Sequence, residues 1–213
     1  MSTGADEIVS CPVCGRLARV PRPLAAGGGE IRQWSDAKTE PLPAPSPPPI
    51  TRCPSCTEFY WLADAGPVNR PSEENGGVLE EEREEPAVRE LGEREYYEAI
   101  EEGLGSDPER EHALRLLAWW RSNDRWRGRE PAGAKLRPAD YDENLLHLVR
   151  ILEAGGDDDR LLRAEALREL GRHEEALEAL PEPAPEGLEP VARAIRTLAE
   201  ARDPYVREIP PPR

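Results

Sequence analysis

The sequence predicts a mainly α protein with a small β-rich part at its N-terminus. Three observations lead there. Two Cys-x-x-Cys pairs, Cys11/Cys14 and Cys53/Cys56, lie in a stretch that is nearly neutral, with seven acids and six bases over residues 1–65. A Glu-rich stretch follows: thirteen acidic residues against three arginines between Glu73 and Glu102 carry most of the net charge of −15. From Glu93 onward the apolar residues recur at helical spacing. A hydrophobic share of 38% over 213 residues, with 24 prolines, favours two modest folded parts joined by a solvated linker over one large core.

The first part is expected at 1–65. Its cysteine pairs bracket a Gly triplet, Gly27 to Gly29, and a Pro-rich run, Pro41 to Pro49, which is incompatible with helix or with a central strand. Between them Ile31 and Trp34 suit a short strand, and Phe59-Tyr60-Trp61-Leu62 is the most β-prone run in the chain. Residues 66–92 read as an acidic, largely disordered linker.

The helical part is expected at 93–205. Tyr96, Ile100 and Leu104 share one face. Ser106 and Glu109 suggest a capping box ahead of Ala113, Leu117 and Trp120. Asp140 and Glu143 suggest another, ahead of the face made by Leu145, Leu148, Val149 and Leu152, which Gly155-Gly156 ends. A fourth helix carries Leu161, Ala164, Leu167 and Leu170 up to Gly171, and a fifth carries Ala176, Leu177 and Leu180 up to Pro181. The last carries Val191, Ile195, Leu198 and Ala199, and residues 206–213 form a Pro-rich tail.

Cys11-Pro12-Val13-Cys14-Gly15 and Cys53-Pro54-Ser55-Cys56-Thr57 repeat one local pattern. Cysteines three positions apart in a tight turn aim two sulfurs at one ion, and two such turns complete the closed Cys₄ shell that a structural zinc favours. Such turns need φ > 0 after the second cysteine, which suits Gly15 and strains Thr57. The alternatives are a redox Cys-x-x-Cys pair, whose βαβ scaffold is lacking here, and plain buried thiols. With four thiolate ligands no position is left open for catalysis, and so few apolar residues need the metal to fold. The pairs are thirty-eight residues apart, an insert that costs only logarithmically in loop entropy. The arrangement resembles a zinc ribbon over residues 8–64.

Ala164, Leu167, Gly171, His173 and Ala176 resemble the centre of a tetratricopeptide repeat over residues 158–183. That resemblance implies an all-α tetratricopeptide-like helical array with a docking surface. The whole chain also resembles bacterial proteins that join an N-terminal ribbon to such helices. The stretches Ile31 to Asp36, the second cysteine pair with its aromatic run, and Leu116 to Asp124 carry that resemblance. It implies architecture and brings no activity with it. The dominance of Arg, with only Lys38 and Lys135 as lysines, also suggests a bacterial source.

Between Trp119 and Arg129, indole and guanidinium groups alternate, and Trp119, Arg121, Arg125, Trp126 and Arg127 are candidates for gripping an acidic peptide. The plainer reading makes Trp120 core and the arginines a solvated helix end. A latch between these arginines and Glu80–Glu85 is a further expectation. His112, His147 and His173 fall on separate helices and read as surface or packing residues. No catalytic triad, phosphate loop or HExxH motif is present, so the expectation is a non-enzymatic scaffold whose partner is another protein or peptide. The alternative is a nucleic-acid-associated ribbon using Arg16, Arg19, Arg22, Arg32 and Arg52 with Trp34 or Trp61, which the acidic balance opposes. No leader-like or membrane-length apolar run occurs, so a cytoplasmic location is expected.

Overall fold

The computed structural model describes residues 6–21, 31–40, 47–68, 85–128 and 138–210. The Gly triplet, Pro41 to Ser46, the linker from 69 to 84 with most of the expected latch, and the last three residues of the tail lie outside them. The described residues divide into two compact units. The first holds 6–21, 47–68 and 85–92, and the second holds 31–40, 93–128 and 138–210.

In the first unit, β1 (Glu7–Ser10) and β2 (Leu17–Val20) form an antiparallel hairpin with Val9 opposite Ala18. A second hairpin joins β5 (Ile50–Arg52) to β6 (Phe59–Trp61), and β7 (Gly66–Pro67) returns beside β1. Alternation along β2 turns Ala18 and Val20 inward, where they meet Val9, Leu62, Ala65 and Val88. Leu62 and Ala65 also pack on a second small cluster of Cys11, Cys53 and Tyr60. The chain re-enters this sheet after residue 84: Arg19 N–H donates to Pro86 O at 3.0 Å and Val88 N–H to Arg19 O at 2.9 Å. Residues 66–68 and 85–92, expected as linker, are thus part of this unit.

The second unit is built on six helices among the described residues: α1 (Glu93–Glu101), α2 (Pro108–Asn123), α3 (Ala139–Ile151), α4 (Asp157–Glu169), α5 (His173–Ala179) and α6 (Glu189–Glu200). A mainly α fold with a small β region is therefore observed. The expected faces of α3 and α4 are the buried ones, with Leu145, Leu148, Leu161, Ala164 and Leu167 all in one core with Ile195. Gly171 ends α4 at φ 81°, a left-handed conformation that suits glycine. Helix α4 touches α3, α5 and α6. Its last six residues, Ala164 to Glu169, are all buried.

Helix α2 departs from the expected pattern twice. Its N-cap is Asp107, whose side chain accepts from Arg110 N–H at 2.9 Å, because Pro108 occupies the first helical position, where its missing N–H costs nothing. Its buried face carries Leu114, Ala118, Trp119, Ser122 and Asn123, with Trp120 only half-buried. The apolar run Leu116 to Trp120 satisfies either face, and the polar residues Ser122 and Asn123 settle it. Helix α3 starts at Ala139 after Pro138 with no side-chain cap, placing Asp140 inside its first turn.

The largest departure concerns residues 31–40. The sequence reading ran a single ribbon through 1–65, yet β3 (Arg32–Trp34) and β4 (Thr39–Glu40) belong to the helical unit. They form a hairpin to which β8 (Glu208–Ile209) adds, giving the order β4-β3-β8. Residues expected as a tail thus supply a strand, and Ile209 joins the helical core.

Candidate metal centre

Each cysteine pair sits in the turn of a hairpin, and the two turns match atom for atom. Cys11 N–H donates to Arg16 O at 2.9 Å and Gly15 N–H to Cys11 O at 2.9 Å. In the second turn Cys53 N–H donates to Glu58 O at 2.9 Å and Thr57 N–H to Cys53 O at 3.0 Å. Gly15 (φ 71°) and Thr57 (φ 65°) both take the left-handed conformation that the spacing predicts. This yields a paired prediction from one dihedral. Thr57→Gly raises the stability of this unit by about 1 kcal/mol, and Gly15→Ala lowers it by a similar amount. A Cβ at Gly15 meets nothing within 4 Å, so the loss is backbone strain alone. Guanidinium unfolding of the metal-loaded chain, followed by Trp61 fluorescence, measures both.

The turns bring Cys11, Cys14, Cys53 and Cys56 together, with all four sulfurs within 4.8 Å of one another. Cys11 Sγ lies 3.9 Å from Cys56 Sγ and Cys14 Sγ 3.7 Å from Cys53 Sγ. A tetrahedral ion with metal–sulfur bonds of about 2.3 Å demands sulfur–sulfur edges of about 3.8 Å; these two edges match it, and the others lie within 4.8 Å. Cys11 and Cys53 are buried, Cys56 is half-buried and Cys14 is exposed.

Crowding splits the thiols. Burial opposes ionisation of Cys53, yet the amides of Cys56 and Ser55 outweigh it and bring the thiol down to about 7. At Cys56 the Glu58 amide favours the thiolate, but burial and the neighbouring sulfurs of Cys14, Cys53 and Cys11 push it up to about 12. Burial also raises Cys11. Tyr60, packed on the cysteines, is pushed up to about 12 by burial and by the nearby sulfurs. Four thiolates at this spacing repel one another, and a bound cation removes that repulsion. The four cysteines therefore form a site that can hold a metal ion.

The other candidates are placed differently. Trp119 is 0% exposed in the helical core. Arg127 is buried and binds Asp36 through two parallel bonds, Nη1 to Oδ1 at 3.0 Å and Nη2 to Oδ2 at 2.6 Å, with Nε donating to Asp124 at 2.9 Å. Its guanidinium lies 5.2 Å from the centre of the Trp34 ring. Arg125 pairs with Glu93, Arg121 with Asp124, and Trp126 meets Tyr205 edge-on at 5.3 Å. The cluster expected to grip a partner is engaged inside its own unit.

That engagement belongs to a buried polar network whose other members the sequence reading passed over. Asn123 donates to Asp36 and to Glu169, both at 3.0 Å, and Tyr141 Oη lies beside Glu169 Oε2 and Asn123 Oδ1, with one proton to donate between them. Trp120 Nε1 donates to Asp36 O at 2.9 Å, and Lys38 pairs with Asp124. Nearby, Arg168 and Glu165, both fully buried, form a second two-bonded pair, and Arg168 also donates to the carbonyls of Asp203 and Tyr205. The available signal was polar residues, Ser122 and Asn123, one helical turn beyond Trp119 on an apolar face. In the first unit Arg19 pairs with Asp6, and Arg52 lies 4.9 Å over the Phe59 ring. Arg22 lies outside the described residues. An open groove of about 780 Å³ lies within the second unit between α6 and β8, lined by Arg193, Ala194, Leu198, Arg207 and Ile209.

Comparison of the chain with protein families, with curated proteins and with solved structures found no match. Fold and site together define a mainly α-helical chain with a small antiparallel β part that brings four cysteines into metal-ligating range. Among the described residues no helix is long and apolar enough to cross a membrane.

Proposed function

We propose that this chain is a non-enzymatic interaction protein: a zinc ribbon with a structural Cys₄ zinc, joined to a tetratricopeptide-like helical docking unit. The observation that carries this reading is the closed four-sulfur shell on two matching hairpin turns. Zinc is the metal whose structural sites favour four thiolates in a tetrahedron, and a filled shell has no position for substrate or water. Cys11, Cys14, Cys53 and Cys56 would hold it, and its role is to fix the two hairpins that carry them to one another. Two further observations support the helical half of the reading. Buried Ala164 and Ala176 let α4 and α5 approach closely across Gly171, in the manner of one tetratricopeptide unit. Helix α4 also packs against α3, α5 and α6, as a member of a helical stack would. The nucleic-acid alternative is less well supported, since Arg19 and Arg52 are engaged within the first unit.

The test has two parts. Native mass spectrometry should find one zinc per chain, and in-cell crosslinking with the zinc-loaded chain as bait should recover the same protein in repeated trials. A chain without zinc, or repeated recovery of nothing above background, would refute the respective half.

A further inference from the structure

The segment between the two cysteine pairs leaves the first unit and is built into the second. Within it Trp34 N–H donates to Lys38 O at 2.9 Å and closes the β3–β4 hairpin. Ser35 N–H donates to Arg207 O at 2.8 Å, and Arg207 N–H donates to Ser35 Oγ at 3.0 Å. Asp36, 0% exposed, takes the two Arg127 bonds and the Asn123 amide. Trp34 is buried at 2% exposure. The chain that carries these anchors is bounded on one side by Cys14 and on the other by Cys53.

We propose that metal binding at the four cysteines tightens the docking of the Arg32–Glu40 hairpin onto the helices, so that metal occupancy in one unit sets hairpin stability in the other. The inference rests on reading the four cysteines as zinc ligands. Its basis is the length of chain that must be closed. From the hairpin to α1 the chain runs through residues 41–92, fifty-two residues. With the first unit folded, its described residues 47–68 and 85–92 are held within it. Val68 N–H donates to Ile8 O at 3.0 Å, and Val88 N–H to Arg19 O at 2.9 Å. The tether between the hairpin and the folded unit then shortens to 41–46. Loop-closure probability falls as roughly the three-halves power of length, so this shortening raises the effective concentration of the hairpin at its site by about twenty-five-fold. Linkage is reciprocal, so a docked hairpin raises metal affinity by the same factor.

The experiment uses the full chain under reducing conditions, with zinc as the metal, counted by native mass spectrometry. Its readout is hydrogen exchange at the Ser35 amide. Removing zinc should speed that exchange by about twenty-five-fold. A chain that never binds zinc refutes the metal reading and this inference together. A chain that loses its zinc while Ser35 exchange stays the same overturns the inference alone. A second variant keeps the metal and so does not depend on the folding of the stripped protein. It carries twelve Gly-Ser residues inserted after Ala26 and twelve more after Pro43, lengthening both tethers. One zinc stays bound and Ser35 exchange speeds by about fivefold; unchanged exchange overturns the inference. In the reverse direction, Asp36→Ala should weaken zinc binding by up to about twenty-five-fold in competition with a chromophoric chelator, although Asp36 belongs to the other unit. Unchanged affinity would also overturn it.

Discussion

Cys53→Ser abolishes zinc binding and unfolds the unit formed by β1, β2, β5, β6 and β7. The size of the effect follows from the metal's share in holding that unit. Two of its apolar clusters have three buried residues each, sharing Leu62 and Ala65 at their edges, and Ile50, Phe59, Trp61 and Leu91 are buried besides. A structural zinc contributes on the order of 10 kcal/mol to such a fold, well above the stability that the clusters supply. Serine keeps the shape of cysteine and loses the thiolate, so the metal is lost with little steric change. Cys53 is also the buried anchor of its turn, the sulfur that the Ser55 N–H approaches at 3.4 Å. The measurement is one zinc in the parent and none in the variant by native mass spectrometry. Alongside it, the amide peaks of Ile50 to Trp61 collapse in a two-dimensional NMR spectrum. A variant that retains zinc at equal affinity, or a parent that shows oxidised cysteines and no metal, contradicts the reading.

Asp36→Ala destabilises the helical unit by about 3–5 kcal/mol, because it strands a buried guanidinium. Arg127 is pulled two ways: burial disfavours its charge, and the Asp36 and Asp124 carboxylates more than restore it, leaving its pKa raised. Without Asp36, the two Nη donors and the Asn123 amide lose their acceptor in a place that water does not reach. Arg127→Met alone strands the carboxylate instead and costs a similar amount. The double variant, Asp36→Leu with Arg127→Met, should recover much of the loss, since a well-packed apolar pair replaces a buried ion pair at little cost. Urea unfolding followed by helical circular dichroism gives all three values. Equal losses that simply add in the double variant would show that the pair does not act as a unit.

The parts of this structure that were legible in the sequence are those set by neighbours a few positions apart. Two cysteines at i and i+3 with a following Gly or Thr fix a turn, and the four-sulfur site is two such turns brought together. Leu145, Leu148 and Val149 mark a helix face because they meet within two turns of chain. The Asp36 network was not legible, because its members come from residues 36, 123, 127, 141 and 169, and nothing local ties an aspartate in a hairpin to an asparagine at a helix end. The same holds for β8. Arg207 to Ile209 looks like the start of a Pro-rich tail until a partner strand is available to accept it. The stretches Ile31 to Asp36 and Leu116 to Asp124, which together carry the whole-chain resemblance, meet in this network. Their common feature was tertiary contact, which periodicity does not reveal.

The path of the chain has a consequence for how such a protein can be inherited. By its contacts the polypeptide passes from one unit to the other between residues 21 and 31, back between 40 and 47, and over again at 92/93. Domains laid end to end can be exchanged between genes by a single crossover, each carrying its own interior. Here a crossover near residue 65 would deliver a ribbon together with a hairpin that belongs to another body, and would leave Arg127 and Asn123 without Asp36. Neither half can be shuffled into a new context intact, so lineages carrying this arrangement are expected to keep the two halves together.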